Sequence, residues 1–541
     1  VVRAACQLAA ARLSAARAQE ELAHVRNGMR ELNRIGLALM LERDADTLLR
    51  NILEQAKRLT ESDGGALFLT EENDDGQAWL RFKLLICDSL PRLPAFEEKT
   101  WPIDASSIIG YAASTGELQV IEDAYNLPAD APFVLNREFD ESVGYRRKSM
   151  LFVPMMDRQD QVLGVLVLAN RKSAPEARIV SQEDADRYVL PYTEREVELG
   201  RSLAGQAAVS IENFRLYAQI ERLFECFVQA AVTAIDQRDP TTAGHSTRVA
   251  ILTTDLASAL ERSDKGPYRD VHFTRKQMRE LRYAALLHDF GKVAVREEVL
   301  LKAKKLPPVL NERVQARFEF IQCSMEAEYR RMRADLIQAG AAAQALAGLE
   351  AEFNAHKEEL RALRRIVHEA NQPSVLAEPA PAELIAIARR TFQRADGQAV
   401  PYLSDEELHY LQIPCGSLDE RERGEVESHA QQTFYFLSQI PWTDDLQNLP
   451  TYAYGHHEKL NGAGYPRRVS ANEIPIQTRI ITIADIFDAL TEADRPYKRA
   501  VGIDQALDIM RAEAKAGLLD PDLVQVMIDS QVYRGVLDGN L

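Results

Sequence analysis

At 541 residues, 46% hydrophobic and 27% charged, the chain is too long for one ordinary core and reads as two or three globular domains. A net charge of −17 argues against broad nucleic-acid binding, which needs a basic surface, but allows a small anionic substrate where bound metals and local cations reverse the field. Cys6, Cys87, Cys226, Cys323 and Cys415 are scattered without CxxC spacing, no apolar run approaches a membrane span, and no signal-peptide pattern follows Val1. A reduced, cytoplasmic setting with no membrane segment in this chain is expected, and what precedes Val1 stays open.

In chain order, residues 1–35 read as a helix, with Leu22, Val25, Met29 and Leu32 at three-four spacing. That seam suits packing on its own domain and the start of a dimeric coiled coil equally. Residues 36–200 mix strands and helices. Gly65–Leu69, Met150–Pro154 and Val162–Leu168 are short apolar strands, the last two joined by the polar turn Asp157–Asp160, and an α+β sheet domain follows. Residues 201–235 read as one helix without proline, with Leu203, Ala207, Ile211, Phe214, Ala218 and Leu223 on one stripe. It serves either as a rigid coupler or as a helix packed between two domains.

From residue 236 onward the pattern is helical and rich in histidine. His245 stands near a helix start after Pro240-Thr241-Thr242, and the apolar run Leu281–Leu287 delivers His288-Asp289 near its end. His429, His456-His457 and Asp485 follow. A single buried histidine is more often a satisfied core residue than a ligand. Five of them with two aspartates are costly to bury unless paired or bound to metal, and imidazole with carboxylate suits iron, manganese or zinc. Between them, about residues 304–416 form an insertion. Leu346, Leu349, Phe353, His356, Leu360, Leu363 and Val367 keep heptad spacing, which predicts a coiled-coil helix folding back on 320–345 or pairing with a second chain, with His356 packed in the seam. Three prolines in 371–381 end it.

Two sets of motifs carry resemblances. Ile109–Gly116, Val120–Asp123, Gly144–Leu151, Gly164–Arg171 and the helix Gln206–Asn213 resemble a GAF domain. The resemblance implies an antiparallel sheet with flanking helices and a sensory role. Asn136–Glu141 is similar, with compressed spacing, to the motif of the cyclic-nucleotide-binding branch, which makes Asn136 and Asp140 ligand candidates. A different small molecule or a purely structural module stays open. Gly244-His245-Ser246, His288-Asp289-Phe290-Gly291-Lys292, His429, His456-His457-Glu458, Gly462–Pro466, Ala484–Thr491 and Arg495–Lys498 occur in the order of the HD-GYP family and resemble it.

The HD-GYP resemblance implies an all-α domain over 236–541 that opens cyclic di-GMP to linear pGpG, GMP or both. It places His245, His288, Asp289 and Asp485 around one divalent metal, and Asp289 with His429, His456 and His457 around a second. Hydroxide held between the two metals, iron or manganese, attacks phosphorus. Lys292 contacts the reacting phosphate or protonates the leaving oxygen, Arg495 and Lys498 clamp phosphates, and Gly464, Tyr465 and Pro466 line the substrate. Three departures stand out: Asn461 replaces an aspartate, Ala430 a proline, and Thr241 a glutamate associated with a third metal. Two metals are therefore expected. A homodimer through the N-terminal and connecting helices is expected as well. The competing readings are an inactive module that binds cyclic dinucleotides and an HD-type nucleotidase.

Overall fold

The computed structural model describes all residues except 1–32, 41, 43, 73–75, 91–98, 240–243, 264–265, 376–379, 395–396, 493–500 and 538–541. The expected N-terminal seam, Thr241, Arg495 and Lys498 therefore lie outside the described residues. The chain divides into two compact units between Leu223 and Phe224, and each is described by itself.

The first unit is built on a seven-stranded antiparallel sheet. Its strands are β1 (Ser62–Glu72), β2 (Ala78–Cys87), β3 (Thr100–Pro102), β4 (Gln119–Ile121), β5 (Met150–Met156), β6 (Val162–Lys172) and β7 (Val189–Leu190). The spatial order is β3-β2-β1-β6-β5-β4, with β7 also on β6. The three expected strands lie inside β1, β5 and β6. In the turn between the last two, the Asp157 carboxylate accepts from the backbone N–H groups of Gln159 and Gln161 at 2.8 and 2.9 Å.

Both faces of this sheet are covered, so its central strands read as unbroken apolar runs rather than as alternation. Leu67, Leu151, Val153, Leu166 and Leu168 pack with Leu48 and Ile52 of helix Ala45–Leu59 and with Leu203, Ala207 and Ile211. On the other face Phe68, Met150, Phe152, Val165 and Val167 meet Ile108, Ile109 and Ala112 of helix Ile108–Thr115. The helix expected over 201–235 extends from Glu194 to Arg238. The four described cysteines are free thiols, and no helix among the described residues is long and apolar enough to cross a membrane.

The second unit is helical. Its main core joins Leu256 of helix His245–Glu261, Leu281 of helix Arg275–Leu287, Ile480 and Phe487 of helix Ile476–Thr491, and Leu523 of helix Pro521–Ser530. The insertion is a hairpin of helices Pro308–Gln338 and Ala343–Ala370, turning at Gly340 with φ +69°. Tyr329 stacks on Phe353 at 4.4 Å, and Arg364 donates to Gln315 at 2.8 Å. Contacts rising along one helix as they fall along the other make the pair antiparallel.

The returning helix thus packs on 308–338 of its own chain, with Leu360 and Val367 buried beside Leu310, Val314 and Phe318. His356 departs from expectation: it is exposed. The inward stripe passes through Phe353 and Leu360, and Lys357, over the Phe353 ring at 5.8 Å, takes the place expected for His356.

Candidate metal centre

Each ligand candidate sits on a locally determined element. Thr274 caps helix Arg275–Leu287 in a reciprocal box with Gln277, and the helix ends at His288. Asp419 and Glu422 form the same box ahead of His429 on helix Glu420–Leu437. Gly244, with φ +74°, starts the helix that opens with His245. Helix Leu449–Tyr454 leads into His456 and His457, and buried Asp485 lies on helix Ile476–Thr491.

The imidazoles are aimed by what holds their Nδ1 atoms. His288, His429 and His456 each point Nδ1 at the carbonyl three residues back, Ala285, Val426 and Ala453, at 2.7, 2.6 and 2.6 Å. A carbonyl only accepts, so Nδ1 carries a proton, and in the neutral imidazole Nε2 then holds the lone pair. His245 Nδ1 is bound instead by Asp488 Oδ2 at 2.7 Å. Such carbonyl and carboxylate partners fix ring orientation and tautomer in metal-binding histidines.

The Nε2 atoms converge on Asp289 and Asp485. Asp289 Oδ1 faces His429 Nε2 at 3.3 Å and His456 Nε2 at 3.8 Å. Its Oδ2 faces His288 Nε2 at 3.5 Å and His245 Nε2 at 3.9 Å. Asp485 Oδ1 lies 3.1 Å from His245 Nε2 and its Oδ2 3.8 Å from His457 Nδ1. Two groups result, one of Asp289, His429, His456 and His457, the other of His245, His288 and Asp485, and within each the ligand atoms lie within 4.8 Å of one another.

This donor set is short of positive charge. The buried His288 Nε2 has no hydrogen-bond partner, and the Nε2 atoms of His429 and His456 stand 3.3 Å apart with lone pairs facing. Buried lone pairs opposed to one another and to carboxylates repel unless cations lie between them. The residues present therefore fit divalent metal ions.

The electrostatics agree. Burial would raise the Asp289 carboxyl, but Lys292 first, and then His288 and His429 in their protonated forms, hold it well below the carboxylate range. Burial acts likewise on Asp485, and His245 and His288 overcome it. Burial and neighbouring imidazoles keep His456 far below its ordinary value, and burial pushes His457 down to about 3. His245 goes the other way: burial opposes its charge, but Asp485 and Asp488 lift it to about 9. Without metal, this pocket draws a proton onto one imidazole.

Comparison with known proteins agrees with this architecture. Residues 44–211 match the model of the GAF domain, and residues 242–386 and 404–523 match two models of the HD domain. The chain is a GAF–HD protein. A 3'3'-cGAMP-specific phosphodiesterase 3 of Vibrio cholerae is 47% identical to this GAF–HD protein over 107 residues, 20% of this chain and 22% of the relative. The 3'3'-cGAMP-specific phosphodiesterase 1 of the same organism is 36% identical over 22% of this chain and 27% of its own. A cyclic di-GMP phosphodiesterase response regulator of Xanthomonas campestris is 35% identical over 21% and 29%. The matches thus span under a third of these relatives' lengths. Among solved structures, the GAF domain of a phosphoenolpyruvate-protein phosphotransferase from Coxiella burnetii is 17% identical, covering 36% of this chain and 98% of that one at a TM-score of 0.28.

The other sequence-predicted residues of the GAF–HD protein separate into two groups. Lys292 is at the site: its Nζ bonds Asp289 Oδ2 at 2.8 Å and Asp239 Oδ2 at 3.2 Å. Burial opposes its charge, yet Asp289 and Asp239 raise it above the usual lysine value. Tyr465 lies 4.7 Å from the His457 ring. Gly464 is buried where a Cβ would come within 2.4 Å of Lys459 N and 2.5 Å of His457 O. Pro466 follows through a cis peptide bond. Asn461 is exposed, and its Oδ1 accepts from Ala463 N at 3.0 Å, a contact that an aspartate makes equally well. Ala430 is buried beside His429 without displacing it.

In the first unit, Asp140 is engaged within the protein. Its carboxylate is buried and takes the Tyr125 hydroxyl at 2.8 Å and the Arg147 guanidinium. Asn136 borders a cavity, and its carbonyl accepts from Arg147 at 2.7 Å.

Sequence reasoning gave no individual role to five supporting residues. Asp488, three residues after Asp485 and so on the same helix face, binds His245 and is itself held by Arg248 at 2.8 and 3.1 Å. Asp239 anchors Lys292. Thr433 Oγ1 donates to His288 O at 3.0 Å and accepts from Gly291 N at 2.8 Å. A Cβ at Gly291 would lie 1.9 Å from His429 O, so only glycine lets the His288-Asp289 turn meet the His429 helix. Glu458, quoted only as part of the motif, accepts from Arg467 N and Val469 N at 2.7 and 3.2 Å and shapes the chain after Pro466.

Proposed function

We propose that this protein is a metal-dependent phosphodiesterase of cyclic purine dinucleotides, and that the GAF unit regulates it. The observation that carries this reading is the convergence of five histidines and two aspartates into two neighbouring groups, with the oxygens of Asp289 facing histidines of both, and with a charge deficit fitted to cations. In this reading His245, His288, Asp289 and Asp485 hold one divalent ion, and Asp289, His429, His456 and His457 the other. When bound, the pair supplies Lewis-acid charge and an activated water for phosphate-ester cleavage.

The chain's own groups do the rest. Asp488 and three backbone carbonyls keep the imidazoles in the ligating tautomer. Lys292 steadies Asp289 and is proposed to present positive charge toward a phosphate. Tyr465 and the glycines of 462–466 shape the substrate side, and Arg495 and Lys498 are proposed as phosphate clamps.

Cyclic di-GMP, hydrolysed to linear pGpG, GMP or both, was the substrate expected from sequence. The 47% identity to a 3'3'-cGAMP-specific enzyme favours a second reading, in which the mixed dinucleotide is preferred. Protein purified anaerobically, analysed for iron and manganese, and assayed on both compounds decides between them. Tight binding of either compound by metal-replete protein without product would overturn the enzyme reading in favour of a binding module.

A further inference from the structure

The first unit contains a half-open cavity of about 160 Å³ on the sheet face that helix Ile108–Thr115 covers. Its floor arises from strand register. Gly64 of β1 pairs with Ala169 of β6, and Ala66 lies two positions on along the same face. Small side chains there leave a hollow, and Phe68, Phe82 and Trp101 wall it. The rings of Phe82 and Trp101 meet Phe68 edge-on at 5.5 and 5.1 Å. Ile108 and Ile109 cover it from helix Ile108–Thr115.

The polar groups at the margin are committed within the protein. Tyr145 donates its hydroxyl to buried Asp63 at 2.8 Å, and Ser107 Oγ accepts the Gly110 N–H at 3.1 Å. The charge of Arg147 is balanced by buried Asp140. A ligand rich in polar groups would leave them without partners and lose their hydration. An anion would find Arg147, the one cation among the described residues that line the cavity, already paired with Asp140.

Size gives the same answer. An apolar protein cavity of ~150 Å³ stays dry and takes benzene. The cavity is half open, so a cyclic purine nucleotide would extend out of it, and its ribose and charged phosphate would meet a largely apolar wall. We propose that this cavity is a binding site for a neutral, single-ring hydrophobic molecule, in place of the cyclic nucleotide that the Asn136–Glu141 motif suggested.

The test uses the full chain, with Trp101 in the cavity wall as reporter. Toluene and p-cresol should change its emission saturably, and Trp101→Phe should remove the signal. Cyclic AMP and cyclic GMP should produce no change and should not compete. Ala169→Leu fills the hollow and should weaken toluene binding ~10-fold or more, whereas Phe82→Ala enlarges it and should shift preference from toluene toward naphthalene. Because the second variant gains a ligand, misfolding cannot imitate it. Saturable binding of either cyclic nucleotide that Ala169→Leu abolishes, or no saturable toluene response up to its solubility, overturns the proposal. Neither result bears on the metal site.

Discussion

The metal-site cluster and the sheet cavity of this protein are opposites. In the helical unit, carboxylates and imidazole lone pairs are packed together with too little positive charge, and a buried nitrogen, His288 Nε2, has no partner. In the sheet unit, Asp63, Asp140, Tyr145 and Arg147 are paired off, and what is lacking is volume. A polar site that is unsatisfied states the charge of what completes it. An apolar site that is satisfied states the size and shape of its guest. A buried polar group without a partner costs free energy through its lost hydrogen bonds, and an apolar hollow through lost packing contacts.

The strongest way to break this contrast is at the metal ligands. Replacing His288 and Asp289 together by Ala should remove bound metal and hydrolysis down to background while toluene binding is unchanged. Metal analysis beside turnover checks it, and retained turnover would sink the mechanism. Gly291→Ala should come close to that loss without touching a ligand atom, because its Cβ would collide with His429 O at 1.9 Å; the readout is metal content of the folded protein. Asp488→Asn keeps the shape but weakens the acceptor on His245, and metal affinity should fall ~10–100-fold in a competition with a chromophoric chelator.

Two smaller effects sharpen it. Stripping metal should lower the unfolding transition of the helical unit, by up to ~4 kcal/mol when free metal stands at ~1,000 times its Kd, and leave that of the sheet unit in place. Calorimetry with and without chelator shows which transition moves. Finally, burial first, and then Asp63, push the Cys87 thiol up to about 11. A raised thiol pKa means that the neutral form persists at pH 8, so Cys87 should alkylate more slowly than exposed Cys226, Cys323 and Cys415. Its rate should climb as pH rises toward 11. Mass spectrometry of iodoacetamide adducts resolves the four sites.

Much of this was legible in the sequence, for a physical reason. Apolar runs in β1, β5 and β6 declare themselves because both sheet faces are buried, and clustered histidine and aspartate declare a shared chemistry. What was hidden depends on partners far apart in the chain. Asp488 reaches back to His245 and Arg248, and Asp239 forward to Lys292, with no local pattern linking them. Only the three-residue step from Asp485 to Asp488 offered a clue. The internal partner of Asp140 was hidden as well, because a carboxylate in a motif looks the same whether it meets a ligand or, as here, Arg147. His356 misled because heptad spacing leaves the contact face uncertain by one position, and Lys357 took its place.

The carbonyls of Ala285, Val426 and Ala453 that orient three of the histidines lie only three residues upstream. Ring orientation at those positions is thus written into a single turn of backbone, whatever side chains surround it. Surrounding sequence is then free to drift over evolutionary time, provided that the turn and its histidine persist. A lineage can graft a long helical hairpin between residues 302 and 418, as here, and still inherit the aim of its ligands intact.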